Sequence, residues 1–283
     1  MFRRLYIKWL EWRGKAIDIG SDSEGPAGLL SNFTPYEFSF RGYNFVSMEG
    51  LLQGLKFEGV EKQQKIFKLV GKQAKFKGKK RKWYLDQRLY WQGKPMARQS
   101  EEYISLVREA FDALACNKEF QNTLLATGDK RLFHTMGKSD PTKTILTEDE
   151  FCTLLTAVRT KLRLILEMQS YINNIYPDIN FFYPKEYVEY DSKVHLYNWY
   201  FPKGGAFLKD QLAFLQKAHE VNNLIPFAMN NADGNEESFE YACFIIDGAG
   251  NNRIMTIWPF STHKSFFQEE YRDIKDWFEN GIQ

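Results

Sequence analysis

Cysteine and histidine are scarce in this sequence. Three cysteines and four histidines are spread over 283 residues. No two cysteines have the CxxC spacing of a zinc site, and three thiols do not build a disulfide framework. We therefore expect neither a metal nor a cofactor, and a reducing, cytoplasmic compartment.

Long apolar runs and a one-sided charge are absent as well. No apolar stretch approaches the roughly 20 residues of a membrane span. The start, MFRRLYIKWLEW, is interrupted by charges and has no small-residue cleavage site after it, unlike a signal peptide. The net charge of +2 argues against a chain that binds polyanions along its whole surface. We expect a globular protein without a membrane partner.

Two regions of different composition follow one another along the chain. Helical periodicity dominates residues 1–170, interrupted by a β-hairpin at YEFSFRGYNFVS. A helix starts at Thr147, where Glu150 completes a capping box. Residues 171–283 combine a helix at 207–221, a hairpin around GAGNN and an amphipathic closing helix at 267–280. The sequence predicts an α+β protein, with a mostly helical domain 1–170 and a smaller α+β domain 171–283.

One predicted helix, SMEGLLQGLKF, carries polar groups beside its apolar stripe. Glu49, Gln53 and Lys56 have the spacing i, i+4, i+7, which puts them on one face of a helix. Such a face is either solvated or the wall of a cleft in which a carboxylate, an amide and an ammonium converge on a polar ligand. The spacing alone leaves both interpretations open.

A run of cations follows that helix in KQAKFKGKKRKWY. Lysines at this density form a solvated helix face or a phosphate-binding surface. Aromatic residues come directly after them, as stacked bases or an ordinary core would require. This pattern also leaves both interpretations open.

Several short motifs resemble the NADAR (YbiA-like) family. LLSNFTPYEF followed by RGYNFVSMEGLLQGLKF matches its SNF turn, its strand pair and its helix with Glu, Gln and Lys. GKQAKFKGK is similar to the Ala-Lys-x-x-Gly-Arg segment, with Lys79 at the arginine position, and LLATGDKRL to the Leu-Leu-x-Thr-Gly stretch. The resemblance covers residues 16–166. Two family segments differ here, since Tyr103 replaces a tryptophan and GKSDPTKTIL replaces Asp-Arg-x-Trp-Gly.

The resemblance implies cleavage of a ribosyl N-glycosidic bond. Its substrate would be ADP-ribosylated guanine in nucleic acid, another ADP-ribose-containing nucleotide or a riboflavin-pathway intermediate. A carboxylate near C1 would stabilise the oxocarbenium-like transition state. Lys56 would keep Glu49 ionised or form a Schiff base. The implied catalytic residues are Glu49, Lys56 and Asp140, and the implied substrate-binding residues are Asn32, Phe33, Gln53, Lys79, Tyr103 and Asp129, the last competing with Asp140 for the role of second acid.

The C-terminal part, residues 171–283, is similar to the SUKH superfamily. LIPFAMNNADGN before YACFIID, the return strand NNRIMTIW and the closing DIKDWFEN carry this resemblance. It implies a protein-binding module, as in bacterial immunity proteins. Three functions therefore compete: an N-glycosidase that acts as an antitoxin or in defence, a non-hydrolysing sensor of ADP-ribose-like nucleotides, and an immunity protein.

Overall fold

The computed structural model describes residues 2–190, 198–201, 204–230, 239–247, 253–260 and 266–282. They form two compact units, Met1–Thr160 and Lys161–Gln283, called here the N-terminal unit and the C-terminal unit. Both combine helices with strands, so the expected α+β class is confirmed. The domain boundary expected at residue 170 stays a prediction.

Helices provide most of the N-terminal unit, and its strands occur in three pairs. One pair is parallel, β1 (Ala16–Asp18) with β6 (Arg131–Phe133). Two pairs are antiparallel hairpins, β2 (Phe38–Phe40) with β3 (Tyr43–Phe45), and β4 (Arg88–Trp91) with β5 (Lys94–Ala97). The helices that lie or begin in this unit are α1 (Phe2–Trp12), α2 (Gly25–Leu29), α3 (Met48–Gly54), α4 (Val60–Phe67), α5 (Gly71–Lys79), α6 (Glu101–Leu114), α7 (Lys118–Leu125) and α8 (Glu148–Ile175).

The hairpin expected after the SNF turn is confirmed. Phe38 of β2 lies opposite Phe45 of β3, and their rings stack with centroids 5.1 Å apart. The two turn residues, Arg41 and Gly42, have φ values of 46° and 80°. Positive φ at both positions is the backbone of a tight turn whose twist matches that of the paired strands. Helix α3 begins shortly after this hairpin, at Met48.

Helix α3 is buried along its whole length. Ser47 caps it by accepting a hydrogen bond from the Gly50 amide at 3.1 Å, and the same hydroxyl donates to the Leu69 carbonyl at 2.9 Å. The expected helix over residues 47–57 is shorter in the structure, because Leu55 is already the C-cap. Because every residue of α3 is buried and Ser47 caps its start, packing against its surroundings fixes this helix in place.

The capping box at the start of α8 is confirmed. The Thr147 amide donates to Glu150 Oε2 at 2.7 Å, and the Glu150 amide donates to Thr147 Oγ1 at 3.1 Å. The Glu150 carboxylate also accepts two hydrogen bonds from the guanidinium of Arg98, at 3.2 and 2.6 Å. Since Arg98 is almost completely buried, this pair links the β5–α6 loop firmly to α8.

The C-terminal unit contains a five-stranded antiparallel sheet with the strand order β11-β10-β9-β8-β7. Its core includes Leu215, Leu224, Cys243 and Ile257. The hairpin expected around GAGNN is confirmed in its two strands, while residues 248–252 lie outside the described residues. The elements are β7 (Trp199–Tyr200), β8 (Leu224–Asn230), β9 (Glu240–Ile245), β10 (Ile254–Ile257), β11 (Phe267–Tyr271), α9 (Tyr187–Tyr190), α10 (Gly205–His219) and α11 (Ile274–Asn280).

The closing helix expected over residues 267–280 is wrong in its first part. Residues 267–271 form the edge strand β11, which pairs with β10. The Glu269 amide donates to Thr256 Oγ1 at 3.2 Å. Asp273 then caps a new helix by accepting from the Asp276 amide at 2.8 Å. The residues of this edge strand are mostly exposed and polar. They therefore lack the alternation of a half-buried strand, and their pattern resembles the exposed face of a helix.

Within the described parts of the chain, no helix has both the length and the apolar character needed to cross a lipid bilayer. Helix α8 has 28 residues, but charged side chains such as Arg159, Lys161 and Arg163 interrupt it.

Candidate functional site

A cavity of about 380 Å³ lies in the N-terminal unit. Its wall combines the loop with Asn32 and Phe33, helices α3 and α5, the segment 134–146 and the start of α8. Among the lining residues that the structure describes, Glu49 is the one carboxylate. The cations at the wall are Lys56, Lys75, Lys79, Lys138 and Lys143. The cavity is therefore suited to an anionic ligand, although the chain as a whole is nearly neutral.

Three polar side chains form a hydrogen-bonded row on the cavity wall, called here the α3 relay. Gln53 Nε2 donates to Glu49 Oε1 at 2.9 Å, and Lys56 Nζ donates to Gln53 Oε1 at 2.6 Å. All three residues are less than 10% exposed. Lys56 lies in the turn after α3, and it still reaches its partner because that turn continues the helical path. The spacing seen in the sequence thus corresponds to a real contact.

Helix α5 packs against the middle of this relay at Gly78. A Cβ atom built on Gly78 would lie 1.8 Å from Gln53 Oε1 and 2.9 Å from Gln53 Cβ. A side chain at this position would therefore displace Gln53. Because glycine has no side chain, α5 approaches α3 closely enough for Lys75 and Lys79 to reach the cavity.

Burial raises the pKa of Glu49 above the usual glutamate value. The nearby charges of Lys75 and Lys56 oppose that shift, as does the hydrogen bond from Gln53. A carboxylate with a raised pKa is a stronger base than an ordinary one. Glu49 is thus suited to take a proton from water and to face a developing positive charge.

Burial lowers the pKa of Lys56 to about 8. The Glu49 carboxylate opposes this shift, while the charges of Lys75 and Lys138 add to it. Lys56 therefore stays mostly protonated near neutral pH, and its ammonium donates to Gln53. A lysine with a lowered pKa also has a larger fraction of the neutral amine that a Schiff base requires.

The mouth of the cavity combines an aromatic ring with cations. Lys75 Nζ lies 5.1 Å from the centroid of the Phe33 ring. Lys79, one helical turn further along α5, lines the same cavity. The Asn32 carbonyl accepts from the Glu49 amide at 2.9 Å, which ties the loop to α3. The expected residues Asn32, Phe33, Glu49, Gln53, Lys56 and Lys79 therefore all line one cavity.

Tyr103 does not line the cavity, contrary to the stacking role expected for it. The ring is almost completely buried, with the Arg98 guanidinium 4.7 Å from its centroid. The hydroxyl donates to the carbonyl of Ile145, a residue of the cavity wall. Burial raises the pKa of Tyr103. Its position supports the wall from behind, so the sequence-based role is corrected to a structural one.

Asp140 lies outside the cavity wall as well. Its carboxylate accepts hydrogen bonds from the Thr142 amide and hydroxyl, at 2.9 and 2.7 Å, and pairs with Lys143 at 3.3 Å. The bonds from Thr142 lower the pKa of Asp140. An exposed, readily ionised carboxylate does not donate a proton to a leaving base near neutral pH. Asp140 is thus not among the residues that line the cavity of Glu49, and its expected role as second acid stays a prediction.

Asp129 lines a different cavity of about 710 Å³, between α8 and the end of β6. Arg3, Arg131 and Arg159 are cations at the wall of that second cavity. Asp129 is therefore not among the residues that line the cavity of Glu49, and its part in the site stays a prediction.

The sequence analysis did not assign every polar or aromatic residue of the wall to the site. Trp83, one of the aromatic residues that follow the lysine run, presents an aromatic surface to the cavity, and Lys138 adds a cation. His134 also lines it, and its Nδ1 lies 2.7 Å from the Ile19 carbonyl. Since a carbonyl only accepts, Nδ1 carries the proton and Nε2 is the basic nitrogen. His134 and Lys138 follow β6 along the chain, so their place at the cavity depends on the β1–β6 pair, which no short motif indicates.

Within the residues that the structure describes, no group of three histidine, cysteine or acidic side chains lies close enough to hold a metal ion. The positive charge of the cavity comes from lysines.

Comparisons with known proteins match the part of the chain that forms this cavity. The family model described as bacteriophage protein GP30.3 matches residues 24–160. The chain is also 38% identical, over 150 residues, to a protein of Enterobacteria phage T4 described as an uncharacterized 17.1 kDa protein in the Gp30-rIII intergenic region. That alignment covers 52% of this chain and 98% of the phage protein. No solved structure matches.

These matches overturn the NADAR resemblance. The matched family is that of GP30.3, and its model spans the SNF turn, α3 and α5, on which that resemblance rested. The motifs that suggested NADAR are short, and their order did not identify the family. The match to the GP30.3 family model ends at residue 160. It therefore gives no support to the SUKH-like resemblance of residues 171–283, which is withdrawn too.

Proposed function

The chain belongs to the bacteriophage GP30.3 protein family, and we propose that its N-terminal unit hydrolyses a ribosyl N-glycosidic bond in a phosphate-bearing compound. The observation that carries this proposal is Glu49, a buried carboxylate held by the α3 relay in a cavity lined with lysines. The cations bind the phosphate, and the carboxylate acts at the sugar.

Glu49 has two tasks in the proposed reaction. As the bond from C1′ to the base breaks, the base leaves with the bonding electrons and positive charge develops on the ribose ring. The carboxylate stabilises that charge and takes a proton from the attacking water. The water oxygen bonds to C1′, and the proton finally reaches the base. Water is thus the one co-reactant.

Lysines at the cavity mouth would bind the phosphate of the substrate. Lys75 and Lys79 lie one turn apart on α5 and both line the cavity. Phe33, already in contact with the Lys75 ammonium, offers a ring face to the base. An anionic group fixed here orients the ribose toward Glu49.

Lys56 supports the carboxylate in this scheme, because its ammonium polarises Gln53 and thereby strengthens the hydrogen bond to Glu49.

The Lys56 pKa of about 8 favours a second candidate role, attack on the aldehyde of a ring-opened ribose to form a Schiff base. Borohydride added during turnover reduces a Schiff base to a stable adduct. A mass increase at Lys56 would identify that route, and unmodified protein would assign Lys56 to the electrostatic role.

ADP-ribosylated guanine was suggested by a family resemblance that no longer holds. The cavity itself supports a wider class, ribosyl compounds that carry one or more phosphates. ADP-ribose attached to guanine in nucleic acid remains a proposed member of that class. The roles as antitoxin or in defence, and a protein partner for the C-terminal unit, also stay proposals. We place the protein in the cytoplasm, where its three free cysteines remain reduced.

A panel of substrates tests the proposal. The full chain is incubated with ADP-ribosylated guanine nucleic acid, nucleoside monophosphates and a riboflavin-pathway riboside phosphate, and the release of free ADP-ribose, free base or free ribose phosphate is measured. We expect release from at least one phosphate-bearing compound and none from its dephosphorylated counterpart. Tight binding of ADP-ribose without any release would favour a sensor instead.

A further inference from the structure

Helix α1 presents an unusual stripe of large apolar side chains to solvent. Its members recur at the spacing of one helix face. Their exposed fractions range from 50% to 89%. Isolated exposed apolar residues are common, whereas a contiguous stripe of this kind indicates an interaction surface. The α1 stripe consists of Phe2, Leu5, Tyr6, Trp9 and Trp12.

The N-terminal unit does not need the stripe for its core, because helix α1 packs on that unit through a different face. Ile7 and Leu10 lie on another face of the same helix, and both are buried in a cluster with Ala16 and Phe133. Helix α1 therefore has two apolar faces. The inner face holds the helix on the β1–β6 pair and leaves the stripe turned outward.

Cations accompany the stripe. Arg4 and Lys8 are exposed and lie one helical turn apart, on the flank that continues to Trp12. Arg13 follows the helix, with its guanidinium 5.7 Å from the Trp9 ring. Glu11 is the one acidic residue of α1. An aromatic stripe flanked by basic side chains is the pattern of a helix that lies in a lipid interface.

We propose that α1 binds the surface of an anionic lipid bilayer, with the α1 stripe at the headgroup boundary and Arg4, Lys8 and Arg13 among the lipid phosphates. The helix lies parallel to the surface, so this mode needs no spanning segment. Tryptophan and tyrosine favour the boundary because each has an apolar ring and a polar N–H or O–H. The lysine and arginine stems lie along apolar surface while their charges reach the phosphates.

Charge distinguishes this occupant from a second copy of the chain. Two α1 stripes facing each other would bring Arg4, Lys8 and Arg13 of both copies together, and like charges oppose that contact. A nucleic-acid strand would satisfy the cations and stack on the aromatic rings. It would leave the aliphatic Leu5 and the continuous apolar edge in contact with water. An anionic bilayer satisfies both the charge and the apolar stripe.

Vesicle co-sedimentation of the full chain tests the proposal. We expect binding to vesicles of phosphatidylcholine with phosphatidylglycerol, weaker binding to phosphatidylcholine alone, and a decrease at high salt. Trp12→Ser should weaken binding about tenfold, because the variant lacks the aromatic ring that the bilayer boundary would bury. Its matched control is Leu85→Ser, at a residue 74% exposed against 79% for Trp12, which should bind as the wild type does.

A second pair of variants tests the charge. Lys8→Gln should weaken binding to the anionic vesicles about fivefold, the effect of one cation near such a surface. Lys94→Gln, also at an exposed lysine, should have no effect. The proposal is overturned if the anionic vesicles fail to bind, or if both compositions bind equally. Concentration-dependent dimers abolished by Trp12→Ser, or an oligonucleotide bound in place of vesicles, would assign the stripe to another partner. None of these outcomes depends on the release of a base.

Discussion

Gly78 of helix α5 lies so close to Gln53 of helix α3 that a Cβ atom on the glycine would stand 1.8 Å from the amide oxygen. That oxygen accepts the hydrogen bond from Lys56 Nζ. The contact between two helices thus fixes the central member of the α3 relay. A change on α5, outside the relay itself, should therefore alter the ionisation of Glu49.

Gly78→Ala should disconnect the relay. Alanine favours the helix by about 1 kcal/mol, but its methyl group must displace Gln53. We expect base release to fall at least tenfold, and the melting temperature to fall as well because the clash is buried. The double variant Gln53→Ala/Gly78→Ala removes the clash and should regain stability without regaining activity. If Gly78→Ala retains full activity, the position of Gln53 is not required.

The pH dependence of kcat/KM should be bell-shaped. On the acid side the rate rises as Glu49 loses its proton, above the usual glutamate pKa because burial raises that of Glu49. On the alkaline side the rate falls near pH 8, where Lys56 loses its proton. Lys56→Arg keeps a positive charge at higher pH. Lys56→Arg should therefore move the alkaline limb to higher pH, whatever its effect on the maximal rate. An unchanged limb would mean that another group causes the fall in rate.

Tyr103→Phe should loosen the cavity wall. The substitution removes the hydrogen bond to the Ile145 carbonyl and leaves the packing of the ring intact. We expect the free energy of unfolding to fall by about 1–3 kcal/mol, because a buried carbonyl loses its partner. Chemical denaturation measures this change. Tyr84→Phe, at a half-exposed tyrosine, is the control and should leave the stability unchanged.

Lys79→Gln should weaken the binding of ADP-ribose, because it removes a cation from the cavity wall. Calorimetry should show a severalfold loss of affinity at low salt and a smaller loss at high salt. Lys82→Gln removes an exposed cation that does not line the cavity. Equal losses for both variants would mean that the lysine run attracts the ligand only through its overall charge.

Local patterns in the sequence predicted the elements near α3 and part of the site. The alternating residues around Arg41 and Gly42 indicated the hairpin, and the spacing of Glu49, Gln53 and Lys56 indicated their shared face. Helical periodicity fixes the direction of each side chain relative to its neighbours in sequence. These predictions needed no knowledge of distant contacts.

The rest of the site depends on tertiary contacts. Asp140 and Tyr103 were assigned by a family resemblance, yet one is exposed and the other supports the wall from behind. The segment 134–146 has no periodicity, so nothing local indicates which of its side chains face the cavity. His134 and Lys138 were missed for the same reason.

The most direct measurement of the central claim compares binding and turnover for Glu49→Gln. Glutamine keeps the shape of the side chain and removes the negative charge that the transition state needs. ADP-ribose affinity by calorimetry should change by less than about tenfold, whereas base release should fall on the order of a hundredfold or more. Glu102→Gln, at an exposed carboxylate of α6, should behave as the wild type. Base release at the wild-type rate by Glu49→Gln would contradict the account.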